Sequence, residues 1–118
     1  MQYILLIYAS EAEQDRRTPE ENAKNFEGYM TYTQSIKESG HLRGGDPLER
    51  VSTATTVRVK NGKVIRTDGP FAETREQLGG YYLVEAKDLD EAVSLAARIP
   101  DAEGGSIEVR PVMKIPGM

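Results

Sequence analysis

The chain of 118 residues has the length of one domain, so we expect a single unit over residues 1–118. It contains no cysteine and one histidine, His41, which excludes disulfides, thiolate chemistry and a multi-histidine metal site within the chain. The formal charge of −4 argues against nucleic acid or an anionic membrane as partner, because binding phosphates requires a basic surface. We expect no metal and no cofactor.

The first residues predict a cytoplasmic protein. Met1, Gln2 and Tyr3 lack the positive charge that begins a signal peptide. The apolar run at residues 3–9 is too short to span a bilayer.

The first third of the chain predicts a strand, a loop and a long helix. Residues 3–8 form a continuous apolar run that is typical of a buried strand, and residues 11–17 are polar and predict a loop. Thr18, Pro19 and Glu21 match a capping box and therefore begin a helix, which Gly40 ends. Apolar spacing then predicts one core-facing stripe, made of Phe26, Tyr29, Met30, Thr33 and Ile36.

The middle of the chain predicts strands joined by turns. Residues 41–48 favour a strand interrupted by glycines. Asn61 and Gly62 both tolerate the positive φ of a two-residue turn, so residues 57–60 and 63–66 are predicted to pair as a hairpin.

The last third predicts a strand, a helix and a final strand. Residues 81–86 favour a strand that begins directly after Gly79-Gly80, and residues 106–112 favour another strand. Asp88 and Glu91 form a second capping box. The helix that follows ends at Pro100 and is expected to bury one apolar face, made of Leu89, Ala92, Val93, Ala96 and Ile99.

This order predicts an α+β fold of the ferredoxin-like (split βαβ) kind with an inserted β-hairpin. Residues 3–8 are apolar on both faces of their strand, and residues 81–86 are much the same. Two helices can cover only one face of a four-stranded sheet. If the other face were exposed to solvent, the strands would alternate apolar and polar residues. We therefore expect a second copy of the chain to cover the other face, as a homodimer.

Residues 68–82 are dense in charge, glycine and aromatic rings, and two interpretations are open. In the first, the segment is structural: Asp68 caps a turn, Gly69-Pro70 fixes its direction and Phe71 enters the core. In the second, Asp68 lies with other polar groups in a cleft where carboxylates are tuned for proton transfer. The candidate ligand-binding residues are then Glu73, Arg75, Glu76, Gln77, Tyr81 and Arg110, of which Arg110 would otherwise be solvated.

His41 and two tyrosines also have two interpretations each. His41 follows the helix-ending Gly40, so it either interacts with the helix C-terminus or contributes to proton transfer. Tyr29 and Tyr32 are interpreted as core or interface packing rather than as catalytic phenols.

The motif Asp68-Gly69-Pro70-Phe71, with the run at residues 73–82, resembles the DGPF branch of the YCII-related proteins. Residues 3–8 and 107–112 are similar to the two ends of that family. The resemblance implies a dimeric α/β barrel of ferredoxin-like halves.

The resemblance also implies functions. The broader group is thought to use a histidine on its first helix and an aspartate as an acid–base pair. This chain has no histidine between Pro19 and Ser39, so Asp68 and His41 are the remaining catalytic candidates. We expect a dimeric small-molecule-binding protein or an enzyme, and the sequence leaves open which. The alternatives are an accessory regulator in an extracytoplasmic-function sigma-factor pathway, without DNA binding of its own, and a purely structural domain.

Overall fold

A computed structural model describes all 118 residues of the chain. Its three helices are α1 (Glu11–Gln14), α2 (Pro19–Glu38) and α3 (Leu89–Ala97), and 3-10 turns lie at Val51–Thr53 and Pro100–Ala102. Its six strands are β1 (Gln2–Ala9), β2 (Leu42–Pro47), β3 (Thr55–Lys60), β4 (Lys63–Asp68), β5 (Gln77–Glu85) and β6 (Ser106–Pro111). None of the helices combines the length and apolarity that crossing a bilayer requires.

Four strands form one antiparallel sheet in the order β2-β5-β1-β6. Each βαβ unit is split by a strand of the other unit, so this order is compatible with the ferredoxin-like arrangement. The remaining strands, β3 and β4, pair only with each other. The turn between them has Asn61 at φ 52° and Gly62 at φ 74°, which confirms the predicted hairpin.

The helix α2 begins as predicted. The Thr18 hydroxyl accepts a hydrogen bond from the Glu21 backbone N–H at 3.1 Å, and the Glu21 carboxylate accepts one from the Thr18 N–H at 2.9 Å. Two backbone donors that the first turn leaves free are thereby satisfied. The segment before it differs from the prediction, because Ser10 caps the short helix α1 where a loop was expected.

The core lies between the helices and one face of the sheet. The odd-numbered residues of β1 are buried there, and Leu5 meets Val84 of β5, Ile36 of α2 and Ile99 in one cluster. From α3, the cluster takes Ala92, Leu95 and Ala96.

The predicted core stripe of α2 is wrong at two positions. Phe26 and Met30 are more than half exposed. Ile36 is buried as predicted, and Tyr32, which lay outside the predicted stripe and was interpreted as core or interface packing, is buried as well. The stripe is shifted because tyrosine can be buried once its hydroxyl finds an acceptor, and Tyr32 donates to the Leu95 carbonyl at 2.8 Å. The same kind of shift occurs in α3, where Leu95 is buried and Leu89 and Val93 are exposed.

The strand β5 begins four residues earlier than predicted, so Gly79 and Gly80 lie within it. Gly80 pairs with Ile7 while Leu78 pairs with Tyr8, which leaves Gly79 as the extra residue of a bulge. Glycine marks a bulge here rather than the end of an element.

The second face of the sheet is covered by neither helix. Ile4 lies opposite Leu83, and Leu6 lies opposite Tyr81; all four are only half-buried. We call this surface the open sheet face. Arg110 reaches it from β6, where it pairs with Ile4.

The shifted stripe gives a test of the core. Ile36→Ala should lower the free energy of unfolding by about 2–4 kcal/mol, because it removes fully buried methyl groups and leaves a cavity. Phe26→Ala on the same helix should cost no more than about 0.5 kcal/mol, because the ring is exposed. Urea denaturation measures both, and an equal loss for the two variants would contradict this packing.

Candidate functional site

A cavity of about 320 Å³ opens between α2 and the helix-covered face of the sheet. It lies where β1 ends and β5 begins. Ile7, Ala9 and Tyr82 of the sheet line one side, while Tyr29 and Met30 of α2 line the other. The remaining lining includes Asp46 and Tyr81 at the β2–β5 edge and Asp101 of the 3-10 turn after α3. We call this cavity the tyrosine cleft.

Glycines at the β2–β5 edge keep the cleft open. A Cβ atom at Gly45, whose φ is +156°, would lie 2.7 Å from the Tyr81 carbonyl oxygen. A Cβ at Gly80 would lie 3.0 Å from the Asp46 carbonyl oxygen. The two strands therefore approach too closely for side chains at these positions, and no side chain fills the adjoining space.

Asp101 is the buried charge of the site, with 7% of its surface exposed. Its Oδ2 accepts a hydrogen bond from the Tyr29 hydroxyl at 2.6 Å, and its Oδ1 accepts one from the Arg17 guanidinium at 3.0 Å. A buried carboxylate needs such partners, because the loss of hydration is otherwise uncompensated. The cluster joins the loop before α2, the helix itself and the turn after α3.

Tyr29 is held in its protonated form. Burial raises the pKa of Tyr29 well above its ordinary value, and the hydrogen bond and negative charge of Asp101 raise it further. The phenol therefore donates to Asp101 throughout the physiological pH range. Tyr82 is also partly desolvated, which raises the pKa of its hydroxyl, and it shares a 2.6 Å hydrogen bond with Thr33.

A second tyrosine–aspartate pair lies at the edge of the cleft. The Tyr81 hydroxyl donates to Asp46 Oδ2 at 2.9 Å, and this hydrogen bond raises the pKa of Tyr81. Asp46 lies opposite Tyr81, which lies opposite Leu6, so both side chains are on the open sheet face and the two residues border the cleft at the strand edge. Asp101 is the charged residue on the helix-covered side, and no lysine, arginine or histidine lines the cleft. The polar lining thus offers one carboxylate and the hydroxyls of Tyr29, Thr33 and Tyr82.

Of the segment at residues 68–82, only the last four residues line the cleft: Gly79, Gly80, Tyr81 and Tyr82. Asp68 is exposed at the end of β4, and its carboxylate makes no hydrogen bond or ion pair with the chain. The turn there is held by the backbone of Gly69, whose N–H donates to Ala54 at 2.7 Å. Pro70 follows in the exposed loop, and Phe71 is 80% exposed, outside the core of the chain.

Two other residues of this segment have structural contacts. Gln77 accepts a hydrogen bond from the Glu11 backbone at 2.9 Å, which ties the start of β5 to α1. Glu76 accepts one from the Ser106 hydroxyl at 2.8 Å. Glu73 and Arg75 are exposed and make no side-chain hydrogen bond within the chain.

The structure places His41 and Arg110 away from the cleft. His41 Nε2 is 3.3 Å from Glu91 Oε1, and its Nδ1 shares a 2.6 Å hydrogen bond with Ser39. No hydrogen bond or ion pair joins His41 to Asp68. Arg110 lies on the open sheet face, whereas the cleft is on the helix-covered face.

Sequence reasoning missed Asp101, which belongs to no predicted motif, and interpreted Tyr29 as packing. Of the candidate ligand-binding residues, Tyr81 borders the cleft at the strand edge. The pair Tyr29–Asp101 is 72 residues apart in sequence, and no local motif marks it. No group of three or more acidic, histidine or cysteine side chains is arranged to hold a metal ion.

The two tyrosine–aspartate pairs allow a matched comparison. Tyr29→Phe should lower the free energy of unfolding by about 2 kcal/mol, because it removes a donor from a buried carboxylate. Tyr81→Phe should cost clearly less, because Asp46 is exposed and water replaces the lost donor. Thermal or urea unfolding of both variants measures the difference, and a larger loss for Tyr81→Phe would contradict the role of Asp101.

Comparison with known proteins shows the family of the chain. The family model of the YCII-related domain matches residues 1–116. An uncharacterized protein of Rhizobium meliloti is 36% identical over 114 residues, which cover 95% of this chain and 92% of that protein. The DGPF branch stays a prediction from the motif at Asp68. The sequence match over nearly the whole length shows that this chain belongs to the YCII-related family.

Proposed function

We propose that the protein is a homodimer that binds a small molecule in the tyrosine cleft. One observation carries the binding proposal: aromatic walls and the Asp101 carboxylate converge on a cavity of about 320 Å³. Cavities that take small ligands start at about 300 Å³ and combine apolar walls with a few polar groups. The volume thus suits a ligand of metabolite size.

The lining favours a ligand that carries an amino or hydroxyl group. Asp101 is the charged side chain on this side of the sheet, and the rings of Tyr29 and Tyr82 offer electron-rich faces to a cation. An anion would meet the Asp101 carboxylate, and no lysine, arginine or histidine lines the cleft. Ile7, Ala9 and Met30 provide apolar contact for the rest of the molecule.

The contacts of Asp101 support binding more than proton transfer. Both of its oxygens already accept a hydrogen bond, one from Tyr29 and one from Arg17. No histidine lines the cleft to serve as a second proton-transfer group.

Paired probes of matched shape test the binding proposal. In ¹H–¹⁵N NMR spectra, millimolar phenethylamine should shift the backbone amides of Gly45, Gly79 and Gly80, whereas 3-phenylpropionate should not. The two probes share a ring and a chain and differ in the sign of their charge. Met30→Trp, at an exposed position on the cleft wall, should weaken the amine shifts by narrowing the cavity. The proposal fails if neither probe shifts these amides or if the carboxylate shifts them equally.

The surface of the chain supports the homodimer. The accessible surface is 8760 Å², whereas a folded monomer of 13.1 kDa exposes about 6,400 Å². The chain is also thin, with extents of 48 × 48 × 18 Å. Its open sheet face presents Ile4, Leu6, Tyr81 and Leu83 without a cover. Two copies that pack these faces together would form the dimeric α/β barrel.

Analytical ultracentrifugation tests the homodimer. The wild-type chain should sediment at twice its mass of 13.1 kDa. Leu6→Lys should shift it toward monomer, because a charge would be placed in the middle of a dry interface. Phe26→Lys, on the exposed side of α2, is the control and should leave the dimer intact. A wild-type chain that sediments at the monomer mass would contradict this proposal.

A further inference from the structure

The hairpin β3–β4 stands apart from the body of the protein. Every residue of β4 is exposed, and of β3 only Thr56 is half-buried. Apart from each other, neither strand packs along a helix or strand of the chain. A two-stranded hairpin alone is marginally stable in water, so a well-formed one implies a surface on which it packs.

The two faces of the hairpin differ in chemistry. Val59 lies opposite Val64, and Val57 lies opposite Arg66, so the three valines share one face. Arg58 with Ile65, and Lys60 with Lys63, form the other face. Val59 and Val64 are 68% and 66% exposed. We call Val57, Val59 and Val64 the valine face.

The hairpin and the body carry opposite charges. Four basic residues against Asp68 give β3–β4 a formal charge of +3, from Arg58, Lys60, Lys63 and Arg66. The whole chain has a formal charge of −4, so the rest of it carries −7. The body of a second copy is therefore electrostatically complementary to the hairpin.

The exposed surface of the chain is large enough for a dimer contact that includes the hairpin. The chain, with 8760 Å² accessible, exposes about 2,400 Å² more than a compact monomer of its mass. That excess exceeds the roughly 800 Å² that each partner buries in a standard interface. The hairpin contributes to it, because nearly every residue of β3 and β4 is exposed.

We propose that the β3–β4 hairpin is a dimerisation arm that packs its valine face on a second copy of this chain. The proposal depends on the homodimer proposed above and names the segment that completes its interface. The arm leaves the body next to the tyrosine cleft, because residues 48–76 connect Pro47 of β2 to Gln77 of β5. The Leu48 N–H donates to the Gly79 carbonyl at 2.9 Å and holds the base of the arm at the cleft edge.

Two adjacent residues on opposite faces of β4 test the arm. Val64→Lys should raise the dimer dissociation constant by about 100-fold or more, because it removes valine burial and a two-fold dimer carries the change twice. Ile65→Lys adds the same charge to the same strand but on the other face, and should change the constant by less than about threefold. Sedimentation equilibrium over a range of concentrations measures both.

Hydrogen exchange gives a second readout that does not need a variant of the hairpin. In the wild-type protein, the amides of β3 and β4 should gain protection as concentration favours the dimer. In Leu6→Lys they should lose that protection although the hairpin sequence is unchanged. Protected β1 amides in Val64→Lys would show that the body remains folded.

The outcomes separate the two proposals. A wild-type dimer that tolerates Val64→Lys, or that responds equally to Ile65→Lys, overturns the arm and leaves the homodimer standing. Amides of β3 and β4 that remain unprotected from hydrogen exchange in the dimer would also contradict the proposal that the hairpin is a dimerisation arm. A wild-type monomer at all concentrations overturns both.

Discussion

The central position of β1 is the constraint on which the other elements depend. It pairs with β5 on one side and β6 on the other, so its backbone hydrogen bonds are made within the sheet. Its side chains then point alternately to two faces, and both sets are apolar. The odd-numbered set is buried under α2 and α3, with Leu5 fully enclosed. The even-numbered set, which includes Ile4 and Leu6, is covered by neither helix and is half-buried.

The second constraint is the buried carboxylate of Asp101. Its partners come from separate segments, Arg17 before α2 and Tyr29 within it, and together they hold the N-terminal half of α2 against the turn after α3. Because a buried charge tolerates little misplacement of its partners, the helix has a defined position over the sheet. The cleft is the space left where glycines replace side chains at the β2–β5 edge.

The segment at residues 68–82, on which the resemblance to the DGPF branch rests, lies largely outside this cleft. Asp68 ends β4 and Phe71 lies in the exposed loop after it, whereas Gly79, Gly80 and Tyr81 reach the cleft through the bulged start of β5. A motif of this length therefore serves more than one part of the molecule. Its first half borders the β3–β4 hairpin, and its second half lines the tyrosine cleft.

The sequence by itself determined the features that depend on near neighbours. The capping box of Thr18 and Glu21 and the turn at Asn61-Gly62 follow from contacts a few residues apart. The two apolar faces of β1 were equally readable, because strand side chains alternate with a fixed period. Tertiary structure decided that Phe26 and Met30 lie outside the buried stripe of α2, and that Tyr32 enters the core where the Leu95 carbonyl accepts its hydroxyl. It also decided the site: Tyr29 and Asp101 are 72 residues apart, and they meet only because α2 packs over the sheet.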